Sequence, residues 1–287
     1  MQKSYAQKLA ELLKHNPLVQ FINPRLVDKI EACKTDIPLL IAIAGESGVG
    51  KTVLMQLIQK YLPEATYLAT DQYFIDFSEQ IKLHGSFDDL LAAGYDLQAP
   101  FSIHMDILYE NLSDLKKGKD VLIPCHPLDD TGKTFLYKTP LTSEKFIFVD
   151  GYCTLYEEVR DLFDFVIYLD TDETRKQQMF DKLQKERGRS KEQSQKIYKI
   201  LKTSSTVYIE PTKQYADVVL DVFKAPFEQE ETLVKDMCHI FKGCEAQKTD
   251  LYEKVLNPGG DLKALMDALP QHLKKRILAA LKNKKTF

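Results

Sequence analysis

The residues best suited to chemistry stand together in Gly45-Glu46-Ser47-Gly48-Val49-Gly50-Lys51-Thr52. The spacing fits G-x-x-x-x-G-K-[ST], the pattern of a phosphate-binding loop. Gly45, Gly48 and Gly50 let the backbone turn tightly, so that its N–H groups converge on phosphate oxygens. A helix opening near Gly50 adds its positive end at the same point. Lys51 is then placed for the β- and γ-phosphates, and the Thr52 hydroxyl for Mg²⁺. All eight residues are the expected nucleoside-triphosphate site.

Two acids and two arginines extend that chemistry. Asp71 follows Ala65-Thr66-Tyr67-Leu68-Ala69-Thr70, a short strand pattern, and opens Asp71-Gln72-Tyr73-Phe74. An acid at the carboxyl end of a parallel strand lies where such sheets bind ligands. Asp71 is suited there to accept a proton from a substrate hydroxyl; a turn or helix-capping acid is the other reading. Asp150 ends the apolar run Lys145-Phe146-Ile147-Phe148-Val149-Asp150-Gly151, a Walker-B pattern able to hold Mg²⁺ directly or through water. Glu186-Arg187-Gly188-Arg189-Ser190 puts two guanidinium groups on a bendable segment, suited to closing over phosphates. A solvated basic helix end is the alternative for that segment.

These side chains need a sheet whose strands end together. Leu39–Ala44 is short, apolar and rich in β-branched residues, as a central parallel strand is. Further strands are expected at 65–70, 120–124, 145–150, 165–170 and 218–222, with a short pairing strand at 135–138. The strand at 120–124 leads into a polar loop, 125–133, expected at the same sheet edge. Between the strands the pattern predicts helices: one from Gly50 to about Leu62, stopped by Pro63, and one capped by Ser102 and closed by Gly118. Two more are predicted, from Thr171 to Lys185 and from Lys191 to Leu201. Gly94–Pro100 reads as a loop. Residues 1–36 read as helical, with a break at Asn16-Pro17 and a second helix opened by Asn23 as N-cap and Pro24 at its first position. From Phe227 onward the chain reads as helical, interrupted at Asn257-Pro258-Gly259-Gly260. Residues 271–287 carry six Lys/Arg and no acid. They read as an amphipathic helix packed on the body with one solvated charged side, the alternative being a helix for a partner or membrane surface.

The 287 residues are enough for one large α/β domain or a domain with an appendage. At 44% hydrophobic, 28% charged and a net charge of −3, nothing points to nucleic acid or a membrane. No apolar run reaches the ~18 residues of a membrane span, and the N-terminus lacks a leader's apolar core. Five widely spaced cysteines without a C-x-x-C read as reduced thiols, and the expected location is the cytoplasm. Cys238, His239 and Cys244 lack a fourth ligand for a metal site.

Taken in order, these motifs resemble the uridine kinase and phosphoribulokinase family of P-loop kinases, over about Leu39 to Val222. The phosphate loop, Asp71-Gln72-Tyr73-Phe74, Val149-Asp150-Gly151, Glu186-Arg187-Gly188-Arg189 and Glu210-Pro211-Thr212-Lys213-Gln214-Tyr215-Ala216-Asp217 carry the likeness. It implies an α/β fold, a P-loop NTPase-type parallel sheet with helices on both faces, plus helical N- and C-terminal extensions. The implied division is 1–36, a kinase domain at 37–224 with a lid around 186–203, and 225–287. The implied activity is transfer of the γ-phosphate of ATP, with Mg²⁺, to a hydroxyl of a small molecule. On that likeness Asp71 is the base, Lys51, Arg187 and Arg189 assist catalysis, Thr52 and Asp150 hold the metal, and Asp96 holds ribose hydroxyls. Tyr73, Phe74 and His126 join Asp96 as candidate acceptor contacts.

The acceptor half departs from the family pattern. Pro124 is followed by Cys125-His126-Pro127-Leu128-Asp129-Asp130-Thr131 instead of the Tyr-Asp-Phe-x-x-His run that helps uridine kinases read the base. The Phe-Tyr after the catalytic acid is Tyr73-Phe74 here, and Met179, Lys182 and Leu183 stand where an Arg-x-x-Arg-Asp run precedes the lid. At the Walker-B end an Asp stands where uridine kinases often have Glu. A nucleoside is therefore the first expectation for the acceptor. A sugar phosphate or another hydroxylated metabolite, as for phosphoribulokinase or pantothenate kinase, is the second. His126, Lys133 and Lys138 would suit an anionic acceptor, or are plain surface. A nucleotide-binding regulator without efficient transfer is the reading from another class. Beyond the small-molecule acceptor no nucleic-acid or membrane partner is expected, and a homo-oligomer is left open.

Overall fold

The computed structural model describes residues 3–33, 37–127 and 131–255. Among these, the strands are β1 (Val19–Ile22), β2 (Leu39–Ala44), β3 (Thr66–Ala69), β4 (Val121–Cys125), β5 (Phe135–Leu141), β6 (Phe146–Asp150), β7 (Phe165–Leu169) and β8 (Val218–Leu220). The helices are α1 (Tyr5–Lys14), α2 (Leu26–Ala32), α3 (Lys51–Tyr61), α4 (Ser78–His84), α5 (Phe87–Ala92), α6 (Met105–Lys116), α7 (Glu173–Glu186), α8 (Lys191–Tyr208) and α9 (Phe227–Val255). The main sheet runs β1-β8-β7-β2-β6-β3. All its pairings are parallel except β1–β8.

Alternation along the central strands builds two cores. Leu39, Ile41 and Ile43 of β2, with Phe146 and Phe148 of β6 and Phe165 and Ile167 of β7, face α1, α3 and α9, meeting Leu9, Leu13, Leu54, Ile58, Leu233 and Phe241. Leu40, Ala42 and Ala44, with Ile147, Val149 and Val166, face the other way, toward Leu108, Leu112 and Leu115 of α6 and Leu155. Strands buried on both faces need continuous apolar runs, which is what β2, β6 and β7 carry. Each fully buried Leu or Phe contributes about 1.5–3 kcal/mol, so the frame under the site is stiff. Among the described residues no helix is long and apolar enough to cross a membrane.

Several expectations need correction. Residues 1–36 are not purely helical, because β1 adds an antiparallel edge strand to the sheet. Pro17 and Pro24 bracket Val19-Gln20-Phe21-Ile22, too short for a helix and suited to an edge. Asn23 does not cap α2; its Oδ1 accepts from the Arg25 N–H in a turn, and its Nδ2 donates to Asp217 Oδ1. Ser102 does not cap α6, which starts three residues later; its hydroxyl donates to the Asp96 carbonyl at 2.5 Å. β4 lies outside the main sheet, because it pairs only with β5 in a separate antiparallel ribbon. α8 runs on to Tyr208 rather than ending at Leu201. The break at 257–260 and the basic segment 271–287 lie outside the described residues.

Candidate active site

The register of the sheet gathers the chemistry. Asp150, the last residue of β6, is level with Ile43 of β2 on one side and Ala69 of β3 on the other. The phosphate loop leaves β2 directly after this level, and Asp71 lies two residues beyond Ala69, in a 3-10 turn at Thr70–Tyr73. Three neighbouring strands therefore deliver Lys51, Asp150 and Asp71 to one edge. Two glycines allow it. A Cβ on Gly45, whose φ is 137°, would stand 2.5 Å from the Leu169 carbonyl oxygen. A Cβ on Gly151 would stand 1.7 Å from Thr70 Oγ1 and push the turn carrying Asp71 away.

Within the loop Lys51 Nζ donates to the Gly45 carbonyl at 3.0 Å and the Glu46 carbonyl at 2.9 Å. The Thr52 hydroxyl donates to Asp150 Oδ2 at 3.2 Å. The other Asp150 oxygen, Oδ1, is buried with no hydrogen-bond partner. Burial pushes the Asp150 carboxyl up to about 6; Lys51 opposes this and the Asp71 charge adds to it. Burial likewise raises Asp71, against the Lys51, Arg187 and His126 charges. A hydroxyl beside a buried carboxylate with an unused oxygen is a hard oxygen donor set, and it fits Mg²⁺, which takes one or two carboxylates with phosphates and water. Among the described residues no group of three or more His, Cys, Asp or Glu forms a fuller cage.

The residues expected to contact an acceptor, apart from Tyr73, lie among aromatic rings. The Phe74 ring lies 5.3 Å from that of His126 and 6.3 Å from that of Tyr152. Phe77 lies 5.4 Å from His126 and 5.9 Å from Tyr95. His126 is buried; its Nδ1 is 2.7 Å from Thr134 Oγ1 and its backbone N–H donates to Gln72 Oε1 at 3.2 Å. Asp96 Oδ1 accepts from the Gln98 N–H at 2.9 Å, which shapes its loop. Tyr152 donates to the Leu97 carbonyl and Tyr156 to the Gln98 carbonyl, fixing that loop from below. Tyr73 does not face the site. It is fully buried and its phenol oxygen accepts from Asn111 Nδ2 at 2.9 Å, because the 3-10 turn aims it into the core under α6.

The lid arginines part company. Arg187 is exposed at the end of α7, close enough to act on the Asp71 charge. Arg189 is held away from the loop: its guanidinium bonds Gln184 Oε1 at 2.8 Å, pairs with Asp88 Oδ1 at 3.3 Å and lies over the Phe87 ring. Glu46 also departs from expectation. Its side chain is buried and turns toward α7 and α8, meeting Lys176, Lys202 and Ser205. A charged residue among the phosphate-loop glycines was a readable oddity, but its partners, 130 to 159 positions away, were not. Gln98 Oε1 is also buried, with no hydrogen-bond partner among the described residues.

The family model described as "Phosphoribulokinase / Uridine kinase family" matches residues 40–226. The uridine kinases of Staphylococcus aureus strains JH9 and Newman are each 36% identical to the chain over 186 residues, covering 63% of it and 86% of their own length. A solved phosphoribulokinase from Rhodobacter spheroides superposes with a TM-score of 0.47 at 13% identity, over 65% of this chain and 70% of its own.

Proposed function

We propose, because the chain belongs to the phosphoribulokinase / uridine kinase family, that it is an ATP-dependent kinase phosphorylating a hydroxyl of a nucleoside. The observation that carries this reading is the juxtaposition of Lys51, Asp150 and Asp71 at the ends of three adjacent strands. The aromatic surroundings of Asp71 suit a flat base, and curated relatives named uridine kinase point the same way.

In this reading the loop N–H groups and Lys51 bind the ATP phosphates, Lys51 leaving the Gly45 and Glu46 carbonyls for the β- and γ-oxygens. Thr52 and Asp150 would hold Mg²⁺, which when bound neutralises charge on those oxygens. Asp71 accepts the proton of the acceptor hydroxyl as its oxygen bonds to the γ-phosphorus and the bond to ADP breaks. Burial makes Asp71 a better proton acceptor than an exposed aspartate. Arg187 steadies the charge on the transferred group, and Arg189 joins it once released from Asp88. Asp96 and His126 hold the acceptor, with Phe74 as one wall.

ADP release from ATP and Mg²⁺ across nucleosides, pentose phosphates and other small alcohols tests this, with Lys51→Ala as blank. Stimulation by uridine or cytidine is expected. Stimulation only by a sugar phosphate would replace the nucleoside, and tight ATP binding with no stimulation by any acceptor would favour a nucleotide-binding regulator.

A further inference from the structure

Glu46 is a carboxylate inside a loop built to hold phosphates. Left bare, it would repel them. It is only 6% exposed, and it is surrounded. One oxygen, Oε2, takes a hydrogen bond from Lys176 of α7. The other, Oε1, accepts from Ser205 at 2.6 Å and from Lys202 at 3.1 Å, both on α8. The two lysines are themselves fixed: Lys176 to Asp170 Oδ1 at 2.7 Å, Lys202 to Glu173 Oε2 at 2.9 Å and Glu210 Oε1 at 2.5 Å. Burial opposes charge on Glu46, but the bonds from Lys176 and Ser205 and the charges of both lysines outweigh it and hold the carboxyl below its usual range. The attraction within a buried ion pair is largely offset by the cost of desolvating it, while removing one partner leaves the other charge buried and unpaired.

A second, independent contact lies alongside. A Cβ on Gly48 would stand 3.4 Å from the backbone of Phe180, so α7 packs directly on the phosphate loop. α7 ends and α8 begins at the Arg187–Arg189 segment, so the helices gripping Glu46 are those that carry the lid arginines. The backbone of the same residue holds Lys51 through its carbonyl. From these contacts we infer that Glu46 is a positioning residue: through Lys176, Lys202 and Ser205 it ties the phosphate loop to the roots of both lid helices, so that loop and lid keep one relative placement while ATP binds. This inference rests on reading the loop as an ATP site. It assigns no contact between Glu46 and ATP.

The test uses the full chain and three variants, Glu46→Gln, Lys202→Met and the double variant. Lys202 is partly exposed and Glu46 keeps Lys176 and Ser205 without it, so Lys202→Met keeps the question open should Glu46→Gln fold poorly. Hydrogen exchange of the apo-protein is read at 45–51 and at 173–208, and ATP affinity and both KM values are measured. The expectation for Glu46→Gln is faster exchange in both segments together and ATP binding roughly tenfold weaker, with the acceptor KM unchanged. Lys202→Met should shift exchange at 45–51 and ATP affinity less, and in those two readouts the double variant should be no worse than Glu46→Gln alone; the lost pairs of Lys202 to Glu173 and Glu210 act on 173–208 only. Lowered thermal stability with unchanged exchange in 45–51 and unchanged ATP affinity would overturn the tether and leave Glu46 a structural ion pair. So would additive effects of the double variant on exchange at 45–51 and on ATP affinity. If the unmodified protein binds no ATP, it is the kinase reading that fails, and the exchange coupling alone then decides the tether.

Discussion

The two halves of the site are built differently. The phosphate half hangs from β2 and β6, strands buried on both faces, and its key atoms are fixed by backbone geometry and one hydroxyl–carboxylate bond. The half proposed to hold the acceptor is made of short helices α4 and α5, the 94–101 loop and the β4–β5 ribbon, which stands outside the sheet with Leu122, Phe135, Leu136 and Tyr137 exposed. Chemistry common to a family belongs on the rigid half. Selection of a particular acceptor belongs on pieces that can be exchanged without disturbing the frame.

The sharpest way to break that division is Asp71→Asn, which stands where the halves meet. Transfer should fall by about 10²- to 10⁴-fold while ATP affinity stays as it was. Equal loss of both would place Asp71 in the phosphate half. Lys51→Ala comes next, with transfer down by about 10²- to 10³-fold and weakened ATP binding. Asp96→Ala should raise the acceptor KM about tenfold or more and leave the ATP KM alone; steady-state kinetics at varied ATP would expose any crossover.

The pH profile probes the shared centre. Burial raises both Asp71 and Asp150, the latter to about 6, so each must lose a proton to accept one or to ligate. Activity should therefore climb with pH above the ordinary carboxylate range and then level; a limb near 4 would mean ordinary, solvated carboxylates. The smallest effect lies in the frame. Glu230 of α9 is buried with an unpaired Oε1, and burial pushes its carboxyl up to about 7. The folded protein holds that proton longer than the unfolded chain, so this group's contribution declines from about pH 4.5 to 7. Glu230→Gln should remove that slope and add about 1–3 kcal/mol at pH 8, measured by denaturant unfolding, without touching either KM.

The difference between the halves also governed what could be read from sequence. β2, β6 and β7 are continuous apolar runs ending at functional residues, and the loop between β2 and α3 has fixed spacing, so frame and phosphate residues were legible. Tyr73 was misplaced because a 3-10 turn sets direction by tertiary packing, which motif order does not record. β1 was missed because four residues between two prolines lack periodicity until β8 is there to pair with them. The Glu46 partners lie on helices that are adjacent only after folding, so no spacing in the sequence points to Lys176, Lys202 or Ser205.

On the proposed reading the phosphate half transfers a phosphoryl group to an acceptor held by the other half. That transfer is tested most directly by following the γ-phosphate of labelled ATP in the presence of Mg²⁺ and uridine. Label should appear on the nucleoside, and fall to a small residue with Lys51→Ala and to as little or less with Asp71→Asn. Label appearing only as inorganic phosphate, or remaining in ATP however much uridine is added, would contradict it.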